Sequence, residues 1–128
     1  MAVKSLTAET FEATIAKGIV LVDLWAKWCG PCRAFAPTFE AAATRHPAVV
    51  FAKVDTDAEQ RLAGELGVQA IPTLMAFRDG ILVSSKAGAI PGAAIDVLVS
   101  RIEALDMDAI RREVADSVSR RAAKKAHG

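Results

Sequence analysis

"IVLVDLWAKWCGPCRAFAP", residues 19–37, holds a strand, a turn and the opening of a helix. Residues 19–26 are β-branched and nearly all apolar, the pattern of a central strand covered on both faces. Gly30-Pro31 breaks the extended run, and Pro31 suits a helix start, where its missing N–H leaves no bond unmade. Phe35, Phe39 and Ala42 then recur at helical spacing. Pro37 falls inside that helix and removes the N–H that the Arg33 carbonyl would accept, so a kink is expected. The same stretch carries the only two cysteines of the chain, Cys29 and Cys32.

Working outward, "LTAETFEATIAKG", residues 6–18, reads as an amphipathic helix with Thr7 as N-cap, Phe11 and Ile15 on one face and Gly18 at its end. A short strand at residues 2–6 precedes it. "VVFAKVD", residues 49–55, is a second buried strand with one odd charge, Lys53. Asp57 is placed to cap a short helix through Leu66, ended by Gly67. "IPTLMAFRDGILVSSKAGA", residues 71–89, reads as two strands turning at Asp79-Gly80. "GAAIDVLVSRIEAL", residues 92–105, is a last amphipathic helix with Ile95, Leu98, Val99 and Ile102 on one face. Strands alternating with helices predict an α/β fold, a mixed sheet of about five strands with helices on both faces.

At 128 residues the chain suits one main domain, large enough to fold without a staple. Its 52% hydrophobic content argues against disorder. A net charge of +1 is too balanced for binding nucleic acid by phosphate neutralisation. The longest strongly apolar run, residues 19–22, stops at Asp23, so no membrane span is expected. Residues 1–18 contain no signal-like apolar region, which points to the cytoplasm. Thiols there are kept reduced, so a structural disulfide is not the natural reading, and a three-residue loop gains little entropy from closure.

Three readings of the cysteine pair compete. Structural zinc wants four ligands; one C-x-x-C offers two, and His46 and His127 lack paired spacing, so no metal is expected. Two inert core cysteines fit poorly at a Gly-Pro turn after a strand. A redox pair has a mechanism. At a helix start the Cys29 sulfur faces the unpaired N–H groups of the first turn, which favour the nucleophilic thiolate. Cys32, three residues on, lies within reach. Cys29 is then the more exposed attacking thiol and Cys32 the shielded resolving one.

"VDLWAKWCGPCR" at residues 22–33, "AKVD" at 52–55, "IPT" at 71–73, Asp79-Gly80 and Gly88-Ala89 stand in the order seen in the thioredoxin family. The chain resembles that family over about its first 105 residues. The resemblance implies the thioredoxin fold and a protein-disulfide reductase that binds no cofactor and uses Cys29 and Cys32 as its redox-active disulfide. It implies thioredoxin reductase as the regenerating partner. Implied clients are disulfide-containing proteins of the kind typified by ribonucleotide reductase, peroxide-scavenging enzymes and sulfoxide reductases. A monomer is expected.

For single residues the resemblance decides between alternatives that the residues leave open. Asp23 alone reads equally as a strand-end carboxylate in water or as a desolvated acid; the resemblance implies a buried proton acceptor for Cys32. Lys53 alone reads as a lysine reaching for solvent; the resemblance pairs it with Asp23. Ile71-Pro72 is implied to be cis and to face the cysteines, its backbone open to an extended client segment. Trp28, Gly30, Pro31, Ile71, Pro72, Gly88 and Ala89 are the implied docking surface. Trp25 reads as core packing, and Lys27 and Arg33 as solvated charges. Gly30-Pro31 adds no thiolate-stabilising donor, which fits a reductant.

Residues 106–128, "DMDAIRREVADSVSRRAAKKAHG", depart from the family pattern. Met107, Ile110, Val114 and Val118 make a thin helical stripe, and the last eleven residues hold four positive charges and no negative one. The division expected is a domain at 1–105 and a solvated helical extension at 106–128, frayed at its end; a docking helix is the alternative. Two rivals to the reductase stand: a thiol oxidase or isomerase on the same fold, which would need a less reducing couple, and a scaffold whose function would survive Cys29→Ser/Cys32→Ser.

Overall fold

The computed structural model describes the backbone from Ala2 to His127 and the side chains from Ala2 to Ala122. In chain order the elements are β1 (Val3–Ser5), α1 (Phe11–Ile15), β2 (Ile19–Trp25), α2 (Gly30–Arg45) and β3 (Val50–Asp55). They continue as α3 (Gln60–Glu65), β4 (Thr73–Arg78), β5 (Ile81–Ala87), α4 (Gly92–Glu103) and α5 (Met107–His127). The five strands form one sheet in the order β1-β3-β2-β4-β5. The β1–β3 and β2–β3 pairs are parallel; β2–β4 and β4–β5 are antiparallel. The sheet is therefore mixed, as expected, and β2 lies at its centre.

Side-chain alternation along each strand sorts the core into two layers. Leu21, Phe51, Leu74 and Ala76 join Phe35 and Phe39 of α2 and Ile95, Val99 and Ile102 of α4 on one face. Val20, Val22, Leu24, Ala52, Val54, Met75 and Phe77 meet Phe11 and Ile15 of α1 and Leu62 of α3 on the other. The unbroken apolar run of β2 follows from this double covering. The same parity places Asp23 and Trp25 beside Leu21, and Lys53 beside Phe51, all toward the α2 face.

Two details differ from the sequence reading. The first helix is shorter, because residues 8–10 form a turn on the Thr7 carbonyl, which accepts the Thr10 and Phe11 N–H groups. Asp57 does not cap α3; Asp55 accepts the Asp57 and Ala58 N–H groups instead. The hairpin stands where the sequence puts it, with Asp79 and Gly80 at φ 51° and 83°.

Helix α2 is fixed at both ends. Pro37 lies within it without ending it. At its C-terminus Arg45 and His46 both bond Asp96 of α4, at 3.0 and 2.6 Å. Hydrogen bonds from His46 and then Arg45 hold the Asp96 carboxyl below its ordinary range. His46 thus has a carboxylate partner in a surface cluster. Among the described residues no three His, Cys, Asp or Glu side chains converge as a metal site, and no helix is long and apolar enough to cross a membrane.

Candidate active site

The α2 helix starts at the cysteines. Cys29 is its N-cap in extended conformation, with Gly30 and Pro31 opening the first turn. Its sulfur accepts the Cys32 N–H at 3.2 Å, so it sits where helix-end N–H groups point outward. Cys29 and Cys32 are joined as a disulfide with Cα atoms 5.2 Å apart. Cys29 is 4% exposed and Cys32 1%. The order matches expectation, but the exposure expected of Cys29 is nearly absent. Ala26 and the flanking Trp25 and Ile71 pack around the oxidised pair.

Ile71-Pro72 is cis. The Ile71 carbonyl oxygen lies 3.9 Å from Cys29 Sγ, which sets this loop beside the redox pair. The Pro72 carbonyl accepts the Gly88 N–H at 2.8 Å and so draws the end of β5 to the same place. Gly30, Pro31, Gly88 and Ala89 are exposed, Ile71 is half-buried, and Pro72 itself is buried. Pro72 therefore shapes the loop more than it offers side-chain surface.

Trp28 is 69% exposed, yet its indole is not loose: Nε1 donates to Asp57 Oδ2 at 2.8 Å. Asp57 is a site residue that the sequence reading misses. The partners are 29 positions apart, and no local pattern around Asp57 signals the bond.

Asp23 is 4% exposed on β2, opposite Lys53 of β3 and Leu74 of β4. The structure thus decides the alternative left open above: this strand-end carboxyl is out of water. Burial pushes it from its ordinary 3.8 up to about 7, and the Lys53 charge pulls the other way. Among the described residues Asp23 Oδ1, which is buried, has no hydrogen-bond partner. The Lys53 ammonium stands over the Trp25 ring, 5.3 Å from its centroid. Trp25 is half-buried, so it serves both as packing and as a cation's neighbour.

This arrangement combines a sulfur at a helix mouth, a second sulfur behind it, a buried acid poised near neutrality and a shallow, partly apolar rim. Comparison with known proteins points to one family. Residues 2–102 match the family model described as Thioredoxin. A Streptomyces coelicolor relative is 45% identical over 112 residues, covering 87% of this chain and 84% of its own. Thioredoxin of Bacillus subtilis is 38% identical over 102 residues, covering 79% and 98%. The crystal structure of Malassezia sympodialis thioredoxin (Mala s 13) matches with a TM-score of 0.70 at 30% identity, covering 77% of this chain and 91% of that one.

Proposed function

This chain belongs to the thioredoxin family of protein-disulfide reductases, with Cys29 and Cys32 as its redox pair, and from that premise we propose how its residues divide the work. Membership implies thioredoxin reductase and disulfide-containing client proteins as partners. In the reduced protein the Cys29 thiolate attacks one sulfur of a client disulfide. That bond breaks, a mixed disulfide forms, and one client thiolate leaves. The Asp23 carboxylate takes the proton of Cys32. The Cys32 thiolate then attacks Cys29 Sγ, the Cys29–Cys32 bond forms, and the second client thiolate departs. Two electrons have passed to the client.

The observation that carries this reading is the Cys29 sulfur accepting the Cys32 N–H at the mouth of α2. A helix start stabilises the thiolate there by the same polarity that the bond reports. An acid near 7 is half-ionised at neutral pH, so Asp23 can both take and return a proton. Lys53 supplies the one charge that tempers it.

Clients dock on Trp28, Gly30, Pro31, Ile71, Pro72, Gly88 and Ala89, with main-chain pairing along Ile71 giving grip without demanding a particular side chain. Gly30-Pro31 leaves the thiolate without extra donors, which keeps the couple reducing. Residues 1–105 act as the catalytic domain and 106–128 as an extension. The protein works as a monomer in the cytoplasm, a compartment that can return its disulfide to the dithiol.

The test is the equilibrium reduction potential of the Cys29–Cys32 couple in defined thiol buffers. A value well below the glutathione poise is expected; one at or above it would replace the reductase reading with an oxidase or isomerase. In Cys32→Ser, a client disulfide should remain trapped on Cys29. In Asp23→Ala, resolution of the mixed disulfide should slow near neutral pH, and an unchanged rate removes Asp23 from the mechanism.

A further inference from the structure

Asp23 and Trp25 are two apart on β2 and therefore share a face, and Lys53 stands opposite Asp23 on β3. Three groups of different chemistry thus meet on the α2 side of the sheet: a carboxyl, an ammonium and an indole. A lysine beside a buried carboxyl has two obvious destinations. It can close onto the carboxylate as an ion pair, or extend its stem and put its head in water. Lys53 does neither. Its ammonium lies over the Trp25 ring, while Asp23 Oδ1 remains buried without a partner. The Trp25 Nε1 is likewise buried and unpartnered, so the indole meets its polar neighbour through its π face rather than its N–H.

We propose that Trp25 is a positioning residue: its ring holds the Lys53 ammonium beside Asp23, within reach of its charge but off its oxygens. This rests on the reading of Asp23 and Lys53 given above and goes beyond it by naming what fixes the distance between them. A cation over an indole is attracted by the negative face of the ring, most strongly for tryptophan among the aromatic side chains. The attraction competes with hydration for a half-buried lysine. Held there, Lys53 lowers the carboxyl by a fixed amount against the larger effect of burial. Without the ring, the long stem is free to carry its head away from the carboxyl and that restraint on Asp23 is lost.

The surroundings of Asp23 make the effect readable. From β3, Lys53 is the charge that acts on it. Asp55, opposite Trp25, has Oδ1 occupied by two backbone N–H groups. From β4 the facing partner is Leu74, which is apolar. From α2, Cys29 and Cys32 carry no charge while joined. The titration of Asp23 in the oxidised protein therefore isolates Lys53 from the thiols.

The experiment follows the Asp23 carboxyl carbon by NMR against pH in the oxidised full-length protein. Trp25→Leu should raise its midpoint by on the order of half a pH unit. Because a smaller side chain disturbs packing, a second variant replaces the Trp25 indole by its tetrafluoro analogue, which keeps the shape and drains the π face. The midpoint should rise in both, and neither change should move it in a Lys53→Met background. An unchanged midpoint, a fall, or an equal rise with Lys53→Met would overturn the role of Trp25. Failure of the Asp23 reading itself looks different: the carboxyl would titrate as described, while the rate of mixed-disulfide resolution ignored that midpoint.

Discussion

Helices α2 and α5 divide the molecule into a part held by its neighbours and a part held by itself. Helix α2 buries Cys32, Phe35, Phe39, Ala42 and Ala43 and is pinned to α4 through Asp96. Helix α5 is longer, but among its described side chains Met107 is buried and most of the rest are exposed. Its start is secured by local bonds: Asp106 accepts the Ala109 N–H, and Arg111 pairs with Asp108. Its first turns touch the body. Ile110 and Val114 line a cavity with Ile81, Leu82, Val83 and Leu105, and Arg111 reaches Asp79 at 3.4 Å. Val118 is exposed. Chemistry that needs sub-ångström placement sits on the first turn of the packed helix, because only tertiary contacts hold a side chain that firmly.

The sharpest way to break this contrast is to hollow out the packed helix. Phe39, fully buried between Phe35 and Phe51, should cost about 3–5 kcal/mol on Phe39→Ala, measured by denaturant unfolding. A loss under about 1 kcal/mol would mean that α2 is not held by this core.

Asp23 gives the next largest effect, and it depends on pH. Its native carboxyl is raised from 3.8 to about 7, so the folded state binds a proton that the unfolded state releases. The Asp23 contribution to wild-type stability should therefore be fullest below pH 4 and fall as pH climbs to about 7, and it should stay constant above that. A shift of about three pH units is worth at most about 4 kcal/mol. Asp23→Asn should remove this slope, gaining on the wild type as pH rises through that window and converging with it in acid. Parallel stability curves for the two proteins would show that Asp23 is not held neutral by the fold.

The smallest effect belongs to α5. Ending the chain after Ala115 keeps Met107, Ile110 and Val114 and removes the exposed turns. Stability should change by no more than about 0.5 kcal/mol, as for surface changes in general, and reduction of a small disulfide should be unaffected. A rise in KM for one protein client alone would instead give the extension a docking role, the alternative raised by its basic end. The side chains of Lys124, Lys125 and His127 lie outside the described residues.

The same contrast explains what was legible beforehand. Strands β2, β3 and β4, the Asp79-Gly80 hairpin and the buried face of α4 can be read from local periodicity and turn chemistry. So can the placing of Cys29 and Cys32 at a helix mouth, because a strand, a Gly-Pro turn and a helical repeat lie within nineteen consecutive residues. The α2-ward facing of Asp23 and Lys53 also follows from strand parity once the register is known. Thr7 and Asp57 misled, since a capping residue type marks where a helix can start and not whether the chain uses it.

The kinds of element, their order and the redox pair are written in local sequence, because those depend on neighbours a few residues apart. Tertiary structure alone decided that Asp23 is out of water, that Trp28 is steadied by Asp57, that Lys53 rests on Trp25, and that Gly88 is drawn to Pro72. Each depends on strand register or loop closure between distant segments, and burial, which sets the charge of Asp23, belongs to the assembled sheet and helices rather than to any stretch of chain.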